Sequence, residues 1–243
     1  MKCVITLFIL FFYCSINLYG QKKESSTNAL IFSKTTGFRH ASIPKGAKVL
    51  DSLLKSIDVK STHTEDNLYF SVDSLRKFDV VIFLSTTGDI LSAEHKINFQ
   101  NFIRSGKGFV GVHAASDTEY NWSWYGQLVG GYFSSHPKVQ DASVKTLDSN
   151  HLSTKHLPKI WFHRDEWYDF KDIKPGLHIL MNLDEESYEG GKMGKFHPIA
   201  WYQEFDGGRS FYTGLGHTIE SYDSEKFQKH LIGGIRYAIG DKK

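Results

Sequence analysis

Hydrophobic and polar positions along the chain fall into short apolar runs separated by polar loops. Residues 29–33 are Ala-Leu-Ile-Phe-Ser, a run that predicts a buried strand leading into a loop at Thr35, Thr36 and Gly37. From position 42 to 57 the apolar residues Ile43, Ala47, Leu50, Leu54 and Ile57 recur at spacings of three and four. That period predicts a helix, with Ser42 as its N-cap and Pro44 accommodated in the first turn. A second strand is expected over 59–64. The strongest buried-strand signal is 78–84, ending at Thr86, Thr87 and Gly88. Ser92 then caps a helix that carries Ile97, Phe99, Phe102 and Ile103 toward Gly106, and 108–112 is the next strand. Strand, helix, strand with short polar connections is the pattern of a parallel sheet covered by helices on both faces. The second half differs: strands are expected over 139–147, 178–183, 199–205 and 209–215 with little helix between them. They suggest a mixed or antiparallel extension, closed by a helix over 224–239. Residues 21–28 read as a polar lead-in. No repeat, low-complexity tract or Pro/Ser-rich linker divides residues 21–243, which are expected to form a single domain.

The first twenty residues change the picture. Lys2 precedes an almost unbroken apolar stretch from Val4 to Leu18, and Gly20 supplies a small residue for cleavage. The stretch is about fifteen residues, short of the roughly twenty that span a bilayer as a helix. A signal peptide over 1–20 is expected, giving a periplasmic or secreted protein with no stable membrane anchor. Bulky Phe11, Phe12 and Tyr13 before Cys14 argue against a lipoprotein cleavage box. Cleavage removes both cysteines, Cys3 and Cys14, so the mature chain has no disulfide, thiolate ligand or thiol nucleophile. It also removes Lys2, taking the formal net charge from +2 to +1. With no basic run or acidic tail, nucleic acid is not an expected partner.

In an open parallel sheet, ligands collect beyond the carboxyl ends of the strands. Three such ends carry a histidine: His40 after the first strand, His113 after the strand at 108–112, and His217 after the strand at 209–215. Gly111-Val112-His113-Ala114-Ala115 has the form of a nucleophile elbow, with one exposed residue between a strand and a helix and small neighbours permitting the turn. Histidine at the elbow suits either proton transfer or metal ligation. Six histidines (His40, His113, His136, His163, His197, His217) offer neutral nitrogen ligands, yet no two share an H-x-x-x-H or H-x-H spacing. No cofactor is therefore expected, with a divalent metal left open. Gly214-Leu215-Gly216 lacks a third glycine, and no P-loop pattern occurs.

Several separated motifs occur in order: 111–117, Trp122, Trp124-Tyr125-Gly126, 130–133, His163-Arg164-Asp165-Glu166-Trp167-Tyr168, 197–201 and 212–217. Together they resemble the trehalose-utilisation (ThuA-like) family, over about residues 28–240. The resemblance implies the flavodoxin-like fold of class I glutamine amidotransferases, a mostly parallel sheet flanked by helices with added β-strands in the C-terminal half. It sets His113 at the superfamily's cysteine position and His217, with Glu220 following, near that of the partner histidine and its orienting carboxylate. Without a cysteine, glutamine hydrolysis by a thiol is not available. The family implies carbohydrate metabolism instead, around 3-keto disaccharides and glycosides. In such a sugar the C3 carbonyl acidifies the C2 proton, so a base removes it while an acid assists loss of the C1 substituent. His113 and His217 are the catalytic candidates, and which is acid and which base is open.

Supporting residues have two readings each. Asp117 and Glu119 either orient a histidine or bind hydroxyls, or they are helix N-terminal carboxylates favoured by the dipole. Trp122 and Trp124 form either a stacking face for a pyranose ring or a packing surface. His163, Asp165 and Glu166 have the donor and acceptor density of a polyol site or of an ion-paired turn. Arg39, His40 and Trp201 complete the expected substrate-binding set. The expected function is an exported enzyme acting on a (3-keto-)glycoside or disaccharide. A non-catalytic sugar-binding protein and a metal-dependent hydrolase are the alternatives.

Overall fold

The two strands most strongly marked by the sequence, β3 (Val80–Leu84) and β4 (Gly108–Val112), lie side by side in the sheet, every residue of both buried. The protein is described from a computed structural model covering residues 27–241. The expected signal peptide, with both cysteines, lies outside the described residues. β1 (Asn28–Phe32) runs parallel to β3, and β2 (Lys60–Thr64) runs parallel to β1 on its other side. β11 (Gly208–Thr213) runs parallel to β4. These five strands form a parallel half in the order 2-1-3-4-11, the doubly wound order of flavodoxin-like folds. Beyond β11 the sheet continues antiparallel through β10 (Pro198–Phe205), β9 (His178–Asp184), β6 (Gln140–Thr146) and β7 (Ile160–Asp165). A separate pair joins β5 (Tyr132–Ser135) to β8 (Asp169–Lys171).

Helices cover the parallel half on both faces. α1 (Ile43–Lys55) and α5 (Glu225–Ile239) touch each other, and α5 also packs on β4 and β11. On the opposite face, α3 (Ala93–Arg104) sets Phe99 against Phe83 and Phe109, and α4 (Ser123–Val129) adds Tyr125 to the same cluster. A four-residue helix, α2 (Val72–Leu75), precedes β3. Among the described residues, no helix is long and apolar enough to cross a membrane.

Three local expectations change. Ser92 caps α3 as expected, its Oγ accepting the His95 N–H at 3.2 Å. Ser42 stands before α1 but its hydroxyl makes no cap bond. It donates instead to the Gly216 carbonyl at 3.0 Å, tying the loop after β1 to the loop after β11. The chain after β4 turns into a short 3-10 segment (His113–Asp117) rather than an α-helix. In the region read as a polyol site or an ion-paired turn, β7 shows a period of two, with Trp161 and Asp165 buried between exposed Ile160, Phe162 and Arg164.

One buried group in this scaffold makes stability depend on pH. His230 of α5 is fully buried, its Nδ1–H donating to the Ser153 carbonyl at 2.9 Å and its ring lying near Phe211 and Phe227. Burial lowers its pKa from the ordinary 6.5 to about 3. Between those values the unfolded chain binds the proton and the folded chain does not, so stability falls as pH falls. From neutral pH to pH 5 the loss at this site is about 2 kcal/mol. Urea unfolding of His230→Gln at the two pH values is expected to show that much less acid destabilisation than the parent chain.

Candidate active site

The carboxyl ends of β1, β4 and β11 bring His40, His113 and His217 together, and the segment after β7 adds Glu166. One side-chain ligand atom from each of the four lies within 4.8 Å of every other. The three imidazole rings pack edge to face, with centroids 4.7 Å apart for His40 and His113 and 5.2 Å for each of them from His217. Sites of this kind collect beyond strand ends because the parallel strands aim their following loops into one crevice.

His113 occupies the elbow. Its φ is +51°, a left-handed conformation that a bulky residue adopts only where its surroundings hold it, at a cost of about 1–3 kcal/mol. The backbone is held by Tyr212, whose hydroxyl donates to the His113 carbonyl at 2.8 Å, while buried Ala114 and Ala115 keep the turn clear. The expected exposed elbow residue is instead fully buried, because the Tyr168 ring covers it with a centroid distance of 4.3 Å. His113 Nδ1–H donates to the Gly214 carbonyl at 2.8 Å. A carbonyl only accepts, so the proton of the neutral ring sits on Nδ1 and Nε2 carries a lone pair.

That lone pair faces His217 Nδ1 at 3.2 Å and Glu166 Oε2 at 3.6 Å. Glu166 Oε2 is 2.9 Å from His217 Nδ1, and its other oxygen lies 2.9 Å from His136 Nδ1, which is also 2.9 Å from the Pro137 carbonyl. Burial pushes the Glu166 carboxyl upward, but His113 and His217 beside it outweigh that and hold it down at about 2. Burial likewise pushes the His217 imidazole down, and the bond to Glu166 reverses this and raises it. His40 has no such carboxylate partner: burial, then the neighbouring His113 and His217, lower it to about 3.

Asp165 does not enter the cluster but builds its floor. It is fully buried, and its carboxylate accepts from the backbone N–H groups of Gly216 (2.7 Å), His217 (3.0 Å) and Thr218 (3.2 Å) and from the Ser221 hydroxyl (2.9 Å). Burial alone would raise its carboxyl; the His163 ring and these donors keep it below the ordinary range. Glu166, next in sequence, takes the orienting role expected of Glu220, which is exposed on a 3-10 turn. Gly216 has φ +112°, and a Cβ there would meet the Tyr222 hydroxyl at 2.9 Å. Gly216→Ala is expected to displace the His217 loop and lower turnover at least tenfold, with a melting temperature a few degrees down, as steady-state kinetics and a thermal melt would register.

The remaining candidates sit elsewhere. Arg39 forms a two-pronged ion pair with Glu65 at 2.6 and 3.1 Å. His163 bonds Ser221 at 3.1 Å and supports Asp165 from behind. Asp117 is half-buried and accepts from the Tyr120 hydroxyl at 2.7 Å, near the cluster but outside it. Glu119 is fully buried and clamps the Ile90 and Leu91 N–H groups while pairing with Lys96. Trp124 donates to Asp206 at 2.7 Å, in the turn before β11 and so at the opposite end of that strand from His217. Trp122 stacks on Trp124, not on the crevice. Trp201 is core, 1% exposed, stacked on Tyr212 and donating to the Val129 carbonyl. The sequence offers His136 only as one of six possible nitrogen ligands and does not single out Tyr168 as a site residue. Tyr168 directly follows the Asp165-Glu166-Trp167 run, the one signal that pointed toward it.

The family model described as ThuA, trehalose utilisation, matches residues 28–238. No curated protein matches the sequence. Among solved structures, a ThuA-like protein from Parabacteroides merdae ATCC 43184 is 21% identical, with a TM-score of 0.75 over 89% of this chain and 91% of that one. A ThuA-like protein from Bacteroides uniformis ATCC 8492 is 22% identical, with a TM-score of 0.72 over 88% and 91%. A β-galactosidase from Bacillus circulans sp. alkalophilus shares the fold over 31% of its own length, at 13% identity and a TM-score of 0.58.

Proposed function

Because the chain belongs to the ThuA family, and through it to carbohydrate utilisation, we propose that it is an exported enzyme that acts on a glycoside or disaccharide in its 3-keto form. The observation that carries this reading is the pairing of His113 Nε2 and His217 Nδ1, 3.2 Å apart around the Glu166 carboxylate. His113, its Nδ1 proton committed to Gly214, is left with a lone pair at Nε2 and is the base. His217, hydrogen-bonded to Glu166, is the acid. His113 removes the C2 proton made acidic by the C3 carbonyl. The C2–H electrons form a C1=C2 double bond as the C1–O bond breaks, and the proton from His217 passes to the departing oxygen. Phe38 beside His40 is 66% exposed and offers an apolar edge to a sugar ring at the rim. The apolar run at 4–18 behind Lys2 supports export.

The test is to incubate the purified protein with glycosides and disaccharides and with their 3-keto forms, resolving products by chromatography and mass spectrometry. Loss of the C1 substituent from the keto forms, and not from the parent sugars, is the expected result. Binding without product formation across both sets would replace the enzyme with a sugar-binding protein.

A further inference from the structure

We propose that His40, His113, His217 and Glu166 together bind one divalent transition-metal ion of the zinc class. The proposal rests on reading this cluster as the reactive site, and not on the identity of the sugar; the ion would take the same His113 Nε2 and His217 Nδ1 that move protons, so the zinc-loaded chain is a resting form and the stripped chain carries out the proton transfers.

Three of the distances among the four groups have the size that a metal imposes. Zinc bound at about 2.0–2.1 Å to nitrogen or oxygen in a tetrahedron separates its ligand atoms by about 3.3 Å. The separations here are 3.2 Å for His113 Nε2 to His217 Nδ1, 2.9 Å for His217 Nδ1 to Glu166 Oε2, and 3.6 Å for His113 Nε2 to Glu166 Oε2. Three imidazoles and one carboxylate form a donor set suited to zinc and its neighbours, and unsuited to magnesium or calcium, which take oxygen.

The bonds around the cluster fix its ligands as metal sites require. His113 gives Nδ1–H to a carbonyl and turns Nε2 inward. Glu166 turns Oε2 inward, with Oε1 beside the His136 ring at 2.9 Å. Asp165 anchors the backbone that carries His217. His40 supplies an independent sign. It is 4% exposed, and among the described residues its Nδ1 has no hydrogen-bond partner and its Nε2 has only the Tyr168 hydroxyl at 3.5 Å. A buried imidazole with neither nitrogen firmly bonded costs about 1–3 kcal/mol, unless something else takes up a lone pair.

A second group of potential ligands, Asp169, Glu185 and His197, shows the contrast. There both histidine nitrogens are engaged, Nδ1 with Glu185 at 2.7 Å and Nε2 with the Tyr168 carbonyl at 2.8 Å. Asp169 accepts from the Lys192 N–H and the Ser135 hydroxyl. That network is complete within the protein and serves to hold Tyr168 over His113.

The experiment strips the full chain with a chelator, reloads it with Zn2+, passes it through gel filtration and measures metal per chain by mass spectrometry. About one zinc per chain is expected for the parent and for Glu185→Gln, and below about a fifth of that for His113→Gln and Glu166→Gln. Mg2+ in place of Zn2+ is expected to leave no bound ion. Because a core substitution can unfold the chain, Co2+ loading of the parent provides a second readout. Intense visible bands of a tetrahedral site are expected, and Zn2+ should displace them. A folded parent that retains no zinc, or variants that retain it fully, would overturn the site. Zinc binding and carbohydrate turnover fail separately. A chain that holds zinc, but whose stripped form converts no keto-glycoside, removes the proposed reaction alone. A stripped chain with full turnover that takes up no zinc removes the metal alone.

Discussion

Replacing His113 with glutamine is expected to lower kcat on a 3-keto-glycoside by about 10²–10⁴-fold while leaving the chain folded. Glutamine fits because its amide N–H can replace the bond to the Gly214 carbonyl, which lies 2.8 Å from Nδ1 in the parent. The elbow backbone does not depend on the ring: the Tyr212 hydroxyl holds the carbonyl of residue 113, and Ala114 and Ala115 admit the turn whichever side chain precedes them. What glutamine lacks is a basic nitrogen at the position of Nε2, facing Glu166 and His217. An interaction used chiefly in the transition state is lost with kcat, so KM should move much less. The thermal melt provides the control, since a variant with an unchanged melting temperature and undiminished turnover would end the catalytic role of His113.

The fold was legible where burial is complete. β3 and β4 are buried at every position and read as unbroken apolar runs, and α1 reads from apolar spacings of three and four. Elements that are short or half-exposed were not legible. β8 has three residues, and β5 is buried only at Tyr132. β7 is an edge strand whose outer positions, Ile160 and Phe162, are exposed while its buried face carries Asp165, so neither composition nor hydropathy marked it as a strand. The antiparallel extension was expected, but its spatial order, which brings β7 to the far edge, depends on pairings between strands far apart in sequence.

The site divides in the same manner. His40, His113 and His217 were visible because each follows a strand, and the sheet rule alone predicts that they meet. Glu166 stood among the expected residues, but as one of several polar groups. Its central place follows from the clamp that its neighbour Asp165 makes on residues 216–218. Sequence spacing cannot reveal a cluster drawn from positions 40, 113, 166 and 217, which is why no metal-ligand motif appears. The tryptophans failed as indicators for the opposite reason. Trp201 finds its indole N–H acceptor within the packed body of the protein, and Trp124 finds one in the Asp206 carboxylate at the far end of β11 and stacks on Trp122, so neither ring faces the crevice.

Asp165→Asn is expected to be the most damaging conservative change to stability, because it affects the fold and the site through one carboxylate. In the parent that group takes five hydrogen bonds, from Glu166, Gly216, His217, Thr218 and Ser221, with no exposure to water. Hydrogen bonds to a charged group contribute about 1.5–3 kcal/mol each. An asparagine presents an NH2 where two of these donors arrive, leaving at least one buried N–H opposed by another donor. A net loss of about 3 kcal/mol follows, which for a chain of this length lowers the melting temperature by roughly 6–12 °C. The pH response checks the cause. The ionised carboxylate is held below its ordinary 3.8, so its contribution is complete above that value and is lost as pH falls through the lowered one. The variant lacks the contribution at neutral pH, and the two melting curves should therefore converge as the parent is acidified. Turnover should fall as well, since the loop carrying His217 loses at least one of its backbone anchors, and a displacement of about 1 Å at a catalytic group costs about a hundredfold. If the variant melted with the parent at neutral pH, Asp165 would be a passive neighbour, and the position of His217 would have to be set by the Ser42 bond to Gly216 and the packing of Tyr222.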